Sequence, residues 1–173
     1  FFFDMATNEP LRGETHQGFS DDSSWARGQS WAVYGLALCY HYTHEEAILP
    51  LFERVTKYFI DHLPEDYVPY WDLIFSDGSC EPRDTSAAAI AACGILEMEK
   101  YYHNQEFLDI AKKMMSSLSE KYTTVDYLQS NGIIKDGMYS RKHGHKSECT
   151  SWGDYFYLEA LMRMKKSDWK IYW

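Results

Sequence analysis

Four residue pairs recur at a constant offset of 59 positions: Gly35 with Gly94, Tyr42 with Tyr101, His44 with His103, and Leu49 with Leu108. Each copy has an apolar or small-residue helix pattern, a turn, and an amphipathic helix pattern. A helical hairpin of this kind cannot bury its apolar face alone and must stack on neighbours. The repeat therefore restricts the chain to an all-α array of hairpins, with the small-residue helices inside and the amphipathic ones outside.

Local patterning fills in the elements. Phe1-Phe2-Phe3 and Pro10-Leu11-Arg12 predict a small hairpin around Asn8-Glu9. From about Trp25 to Tyr42, the residues Trp31, Tyr34, Gly35, Leu38, Cys39 and Tyr42 share one helix face. Thr43-His44-Glu45-Glu46 has the form of a capping box for a second helix with Ile48, Phe52, Val55, Phe59 and Leu63 on its apolar face. Pro50 should kink that helix or reset its start, and Pro64 ends it. The connection 65–83 is long and holds Tyr70, Trp71 and Asp72, so it is expected to line a functional rim. Asp84 is placed to cap a helix running to about Tyr102, in which Gly94 permits close approach. An amphipathic helix over 105–122 buries Phe107, Leu108, Ala111, Met114, Met115, Leu118 and Tyr122. A locally basic loop over 132–146 leads to a last inner helix, 152–166, capped near Ser151 or Asp154.

The 173 residues, 45% of them hydrophobic, provide one globular core but not two. A net charge of −9 disfavours nucleic acid and anionic membrane as partners, since both reward a basic face. Cys39, Cys80, Cys93 and Cys149 form no CxxC pair and read as buried free thiols in a reducing compartment, so the expected location is cytoplasmic. No metal-ligand cluster stands out in the sequence, and no cofactor is expected.

If the array closes into a toroid, the inner-helix starts Trp25 to Trp31, Pro82 to Ser86 and Thr150 to Tyr155 should face one cavity. The run from Gln17 to Trp31 concentrates what a sugar site needs: indole rings for apolar sugar faces, amide and carboxylate groups for hydroxyls, and a guanidinium for a carboxylate. The plainer reading is a helix cap at Asp22 or Ser23, with Arg27 paired to Asp21 or Asp22 and the tryptophans in the core.

Thr15-His16-Gln17-Gly18, the run Asp21 to Trp31, Pro69-Tyr70-Trp71-Asp72, Glu81 to Ala89 and Trp152 to Leu161 together resemble glycoside hydrolase family 88, the unsaturated glucuronyl hydrolases. The resemblance covers nearly the whole chain. It implies an (α/α)6 toroid, of which residues 1–173 would be about the C-terminal half of a single catalytic domain. It also implies hydration of the C4=C5 vinyl ether in a 4,5-unsaturated uronic acid at the non-reducing end of lyase-generated glycosaminoglycan oligosaccharides. Under the resemblance Gln17, Arg27 and Trp31 match substrate-contacting positions; Trp152, His143 and Lys146 are further candidate substrate-binding residues, the last two from a basic loop that is either an anion holder or simply solvated. The catalytic aspartates are expected upstream of Phe1, so the chain alone is expected to be inactive and prone to association. Ser140-Arg141-Lys142-His143-Gly144-His145-Lys146 departs from the Ser-x-x-Ser-x-Lys pattern by which some streptococcal members favour sulfated substrates. His143 replaces the second Ser, His145 replaces the Lys, and Lys146 falls one place late. Two alternatives remain: an unsaturated rhamnogalacturonyl hydrolase of family 105, and a non-catalytic α-helical carbohydrate-binding or interaction module.

Overall fold

The computed structural model describes residues 1–166 and 168–171. Strands β1 (Phe2–Phe3) and β2 (Pro10–Arg12) form the small antiparallel hairpin expected at the start. Five helices follow: α1 (Ala26–Thr43), α2 (Ile48–Asp61), α3 (Thr85–Met98), α4 (Gln105–Lys121) and α5 (Ser151–Lys165). α3 packs between α1 and α5, while α2 lies against α1 and α4 against α3. The array is thus an inner row of α1, α3 and α5 with α2 and α4 outside it, as the repeat requires.

The centre of the row is α3, whose residues Ala87 to Cys93 are all fully buried. Gly94 explains how closely α1 can approach: a Cβ there would fall 2.7 Å from the Tyr34 Cα, a distance no side chain tolerates. Its repeat partner Gly35 meets nothing within 4 Å, so only one of the paired glycines serves packing. Outside, α4 buries Phe107, Ala111, Met114, Met115 and Leu118 in the common core and starts at Asn104, whose side chain accepts from Phe107 N at 3.1 Å.

Several local expectations are corrected. The buried face of α1 is Ala26, Arg27, Ser30, Val33, Tyr34, Ala37 and Tyr40, so Trp31, Cys39 and Tyr42 are exposed. α1 carries apolar residues on nearly every side, and the face turned to α3 combines small residues with Val33, Tyr34 and Tyr40. Of the four cysteines, all free, only Cys93 is buried; Cys39 and Cys80 are exposed. Thr43 belongs to the last turn of α1, followed by His44 in the left-handed region (φ 52°), so the capping box does not form and α2 begins beyond it without a side-chain cap. Pro50 sits in the first turn of α2, where its missing N–H costs nothing, and resets the start rather than kinking the helix. The cap of α5 is Thr150, accepting from Gly153 N at 3.2 Å. Asp154 instead accepts from the Ile133 and Ile134 N–H groups at 3.0 and 2.9 Å and ties the preceding loop down.

The connection between α2 and α3 is not a rim, because Tyr70, Trp71 and Asp72 are all buried. It holds the start of α1, which has no side-chain cap of its own. Ala26 N donates to the Trp71 carbonyl at 3.0 Å and Leu73 N to the Ser24 carbonyl at 2.8 Å. Asp72 Oδ2 accepts from Phe19 N and Ser23 Oγ, both at 2.8 Å, so neither Asp22 nor Ser23 caps the helix. Gly18 allows this turn: a Cβ there would meet Thr15 Oγ1 at 2.6 Å.

At the far ends of the inner helices lies a buried ionic cluster. Glu97 of α3 accepts from Arg163 Nη1 of α5, from Lys100 Nζ at 2.8 Å, and contacts His41 Nδ1 of α1 at 2.8 Å. Arg163 also pairs with Glu159 at 2.8 Å, and Glu159 accepts from the Tyr34 hydroxyl at 3.1 Å. One carboxylate thus joins all three inner helices. Among the described residues no helix is long and apolar enough to cross a membrane.

Candidate functional site

The N-terminal ends of α1, α3 and α5 meet around Arg27. Its Nη1 donates to Asp84 Oδ2 at 2.7 Å, to the Met138 carbonyl at 2.5 Å and to Ser86 Oγ at 3.3 Å. Its Nη2 donates to the Tyr139 carbonyl at 2.6 Å and lies 3.5 Å from Gln17 Oε1. The guanidinium sits 4.7 Å from the Trp25 ring centroid and 5.2 Å from that of Trp152, a favourable place for a cation.

Asp84 is as fully engaged as its partner. It caps α3 as expected, accepting from Ser86 N at 3.2 Å, and also accepts from Ser86 Oγ at 2.5 Å and Met138 N at 3.3 Å. Burial pushes the Asp84 carboxyl up, opposed by the Arg27 charge and these bonds; burial likewise pushes the Arg27 guanidinium down, opposed by Asp84. Desolvation opposes attraction at both partners, so an intact pair fixes geometry, and removing one partner alone is the costly change. Ser86 extends it to α5, where Trp152 Nε1 donates to Ser86 Oγ at 3.2 Å.

Behind this lock opens a cavity of about 270 Å³ lined by His16, Gln17, Tyr139, Ser140, His143 and His145. The rings of His16 and His143 lie 4.9 Å apart, Ser140 Oγ is 2.6 Å from His143 Nδ1, and His145 meets the Tyr139 ring edge-on at 4.8 Å. Tyr139 in turn lies 5.8 Å from Trp152. The lining is mostly polar, three imidazoles, an amide and a hydroxyl beside the single Tyr139 ring, groups that can hydrogen-bond a polar ligand.

The structure brings Gln17 and His143 into the cavity, with Arg27 and Trp152 directly behind it. The pairing of Arg27 with Asp21 or Asp22 is not found; Asp84 takes that place, and Asp21 accepts from Thr15 N at 2.8 Å. Arg27 is 4% exposed with both Nη groups on protein acceptors, so a free bidentate grip on a substrate carboxylate is not the arrangement present. Trp31 lies one turn along α1 from Arg27, 38% exposed, its ring edge-on to Phe156 at 5.2 Å, and does not line the cavity. Lys146 is exposed and outside the lining. Arg141 Nε pairs with Glu81 at 3.3 Å and Lys142 Nζ donates to the Thr15 carbonyl at 3.1 Å, so two more of the basic loop's cations are turned elsewhere. Sequence reasoning missed His16 and Tyr139 as lining residues. His16 stood beside Gln17 in the motif, and that adjacency was the available signal. Among the described residues no group of three His, Cys, Asp or Glu side chains could hold a metal ion.

Residues 1–167 match the family model described as Glycosyl Hydrolase Family 88. The chain is 47% identical over its whole length to the unsaturated chondroitin disaccharide hydrolase of Streptococcus agalactiae serotype III (strain NEM316), covering 45% of that protein. It is 39% identical to the unsaturated glucuronyl hydrolase of Bacillus sp. (strain GL1), over 96% of this chain and 46% of the relative. A crystal structure of a mutant S. agalactiae unsaturated glucuronyl hydrolase complexed with dGlcA-GalNAc6S superposes with a TM-score of 0.89 at 47% identity, over all of this chain and 47% of that one. The chain thus spans about half the length of the curated relatives it matches, and its five helices correspond to about half of an α/α toroid. The expected motifs, the inner-helix starts meeting at Arg27 and Asp84, and a match along almost every residue agree: this chain belongs to glycosyl hydrolase family 88.

Proposed function

We propose that the protein carrying this chain is an unsaturated glucuronyl hydrolase acting on 4,5-unsaturated uronic acid at the non-reducing end of glycosaminoglycan oligosaccharides. The observation that carries the reading is the Arg27–Asp84–Ser86–Trp152 lock, which holds Gln17 and Tyr139 around one cavity at the starts of three inner helices. On this reading residues 1–173 are the C-terminal half of one catalytic domain.

The chemistry is hydration of a vinyl ether. A carboxylic acid protonates C4, water adds at C5, and the resulting hemiketal opens, releasing the remaining saccharide with its own hydroxyl restored. The rule linking carboxylate spacing to anomeric outcome does not govern such a reaction, since the anomeric carbon is not attacked. Asp72, Asp84 and Asp154 are each tied up by backbone or side-chain donors. The proton donor therefore comes, on this reading, from the part of such proteins that this chain does not match. Gln17 offers an amide to a hydroxyl or carboxylate, Tyr139 offers an aromatic wall backed by Trp152, and Arg27 is a positioning residue. The names of the relatives support glycosaminoglycan over rhamnogalacturonan as the substrate source.

The whole protein is expected to abolish the ultraviolet absorbance of unsaturated chondroitin or hyaluronan disaccharides, undiminished by chelators. Absorbance that persists under conditions where the protein is folded contradicts the reading, and loss of activity on chelation contradicts its metal-free chemistry.

A further inference from the structure

Beside the cavity stands an aromatic group that the hydration chemistry does not use. Phe19 is two residues beyond Gln17, a lining residue, so their Cα atoms are within about 8 Å of each other, and 54% of Phe19 is exposed. A single exposed ring is ordinary on a protein surface. This one is held in place from two directions. Its backbone N–H donates to the buried Asp72 carboxylate at 2.8 Å, and its ring meets Phe75 edge-on at 5.1 Å and Trp71 edge-on at 6.3 Å. Past the buried run Tyr70-Trp71-Asp72 the connection between α2 and α3 turns outward, so that Ile74 is exposed and Phe75 half-buried. The result is a rigid aromatic corner open to solvent.

Glu81 joins this corner to the cavity. Its Oε2 accepts from Trp71 Nε1 at 2.9 Å and from Arg141 Nε at 3.3 Å, and Arg141 belongs to the loop that supplies Ser140, His143 and His145 to the lining. The Glu81 and Arg141 side chains are only partly covered, so both can bond further groups. An open ring for the apolar face of a pyranose, with a carboxylate and a guanidinium at its edge for hydroxyls, is the chemistry that recognises a sugar. A ring already fixed by its neighbours loses little freedom when a sugar stacks on it.

We propose that Phe19, backed by Phe75, is a distal saccharide subsite: it stacks a pyranose ring of an oligosaccharide whose unsaturated end lies in the cavity. The inference rests on the proposal that this cavity receives the unsaturated sugar. Phe19 and Phe75 are outside the cavity lining, so the rings that reach them are those far from the reacting end, the third and fourth units of a tetrasaccharide. The subsite therefore acts on chain length and leaves the hydration step itself alone.

The test is steady-state hydration of unsaturated chondroitin disaccharide and of unsaturated chondroitin tetrasaccharide by the whole protein, in wild type and three Phe19 variants. Phe19→Ala removes the ring, Phe19→Leu keeps apolar bulk against Phe75 without an aromatic face, and Phe19→Tyr keeps the face. The expected result is that kcat/KM for the tetrasaccharide over that for the disaccharide falls roughly fivefold or more in Phe19→Ala and Phe19→Leu, through the tetrasaccharide KM, and holds in Phe19→Tyr. A ratio unchanged in Phe19→Ala overturns the inference. So does a ratio that Phe19→Leu preserves, or an unfolding midpoint that drops in Phe19→Ala while the ratio holds, because the ring is then packing against protein. Calorimetric titration with the same two oligosaccharides separates this from the function. Turnover whose length dependence ignores Phe19 leaves the proposed function standing and removes the subsite. Tetrasaccharide binding that depends on the Phe19 ring, without turnover, removes the function alone.

Discussion

Replacing Arg27 with Ala should lower the stability of the protein by about 3–5 kcal/mol, because it leaves the fully buried Asp84 carboxylate without its counter-charge. The Met138 and Tyr139 carbonyls lose their donor in the same step, which frees the loop that carries His143 and His145. Activity should therefore fall with stability. Arg27→Lys keeps a charge, but a single ammonium cannot span Asp84 and both carbonyls, so it should restore part of the stability and less of the activity. Denaturant unfolding of both variants checks this. A loss under about 1 kcal/mol for Arg27→Ala would show that the pair is dispensable.

The second large effect is expected at the opposite ends of the same helices. Glu97 is fully buried and is shared by Arg163, Lys100 and His41, so Glu97→Ala should cost about 3–5 kcal/mol while leaving the residues of the cavity at the opposite ends untouched. Burial pushes the Glu97 carboxyl up, but the bonds from Lys100 and Arg163 and their charges outweigh it and hold it below its ordinary value. A carboxyl depressed in the folded state contributes stability that is present above its unfolded value, about 4.3, and is lost as pH falls through the folded one. The protein should lose stability below about pH 4, and Glu97→Gln should weaken that loss. Equal acid sensitivity in wild type and Glu97→Gln, followed by unfolding midpoint against pH, would assign the acid transition to other groups.

Much of this was written in local sequence. Asp84 could be read as a cap because a short acceptor followed by a small-residue run leaves it little else to do, and Gly94 because only glycine lets α1 approach so closely. The helix row followed from the 59-residue repeat. The buried face of α1 did not follow, since a helix apolar on all sides has no periodicity that selects one. Arg27's partners were also out of reach. Asp84 lies 57 positions away and already had an assigned role as a cap, and the Met138 and Tyr139 carbonyls are backbone groups that any residue would supply. Asp72 looked like a rim residue because its loop is long, yet that length is spent holding the uncapped start of α1.

The central claim is that the cavity behind the Arg27 lock receives the unsaturated sugar, and Gln17 tests it most directly. Gln17 lines the cavity and its one contact to the lock is long, at 3.5 Å, so its removal should perturb the fold little. Steady-state hydration of unsaturated chondroitin disaccharide by Gln17→Ala in the whole protein should show kcat/KM reduced by roughly ten- to a hundredfold, the loss of one or two hydrogen bonds to the ligand, with an unchanged unfolding midpoint. Wild-type kcat/KM in that variant would place the sugar elsewhere and contradict the account.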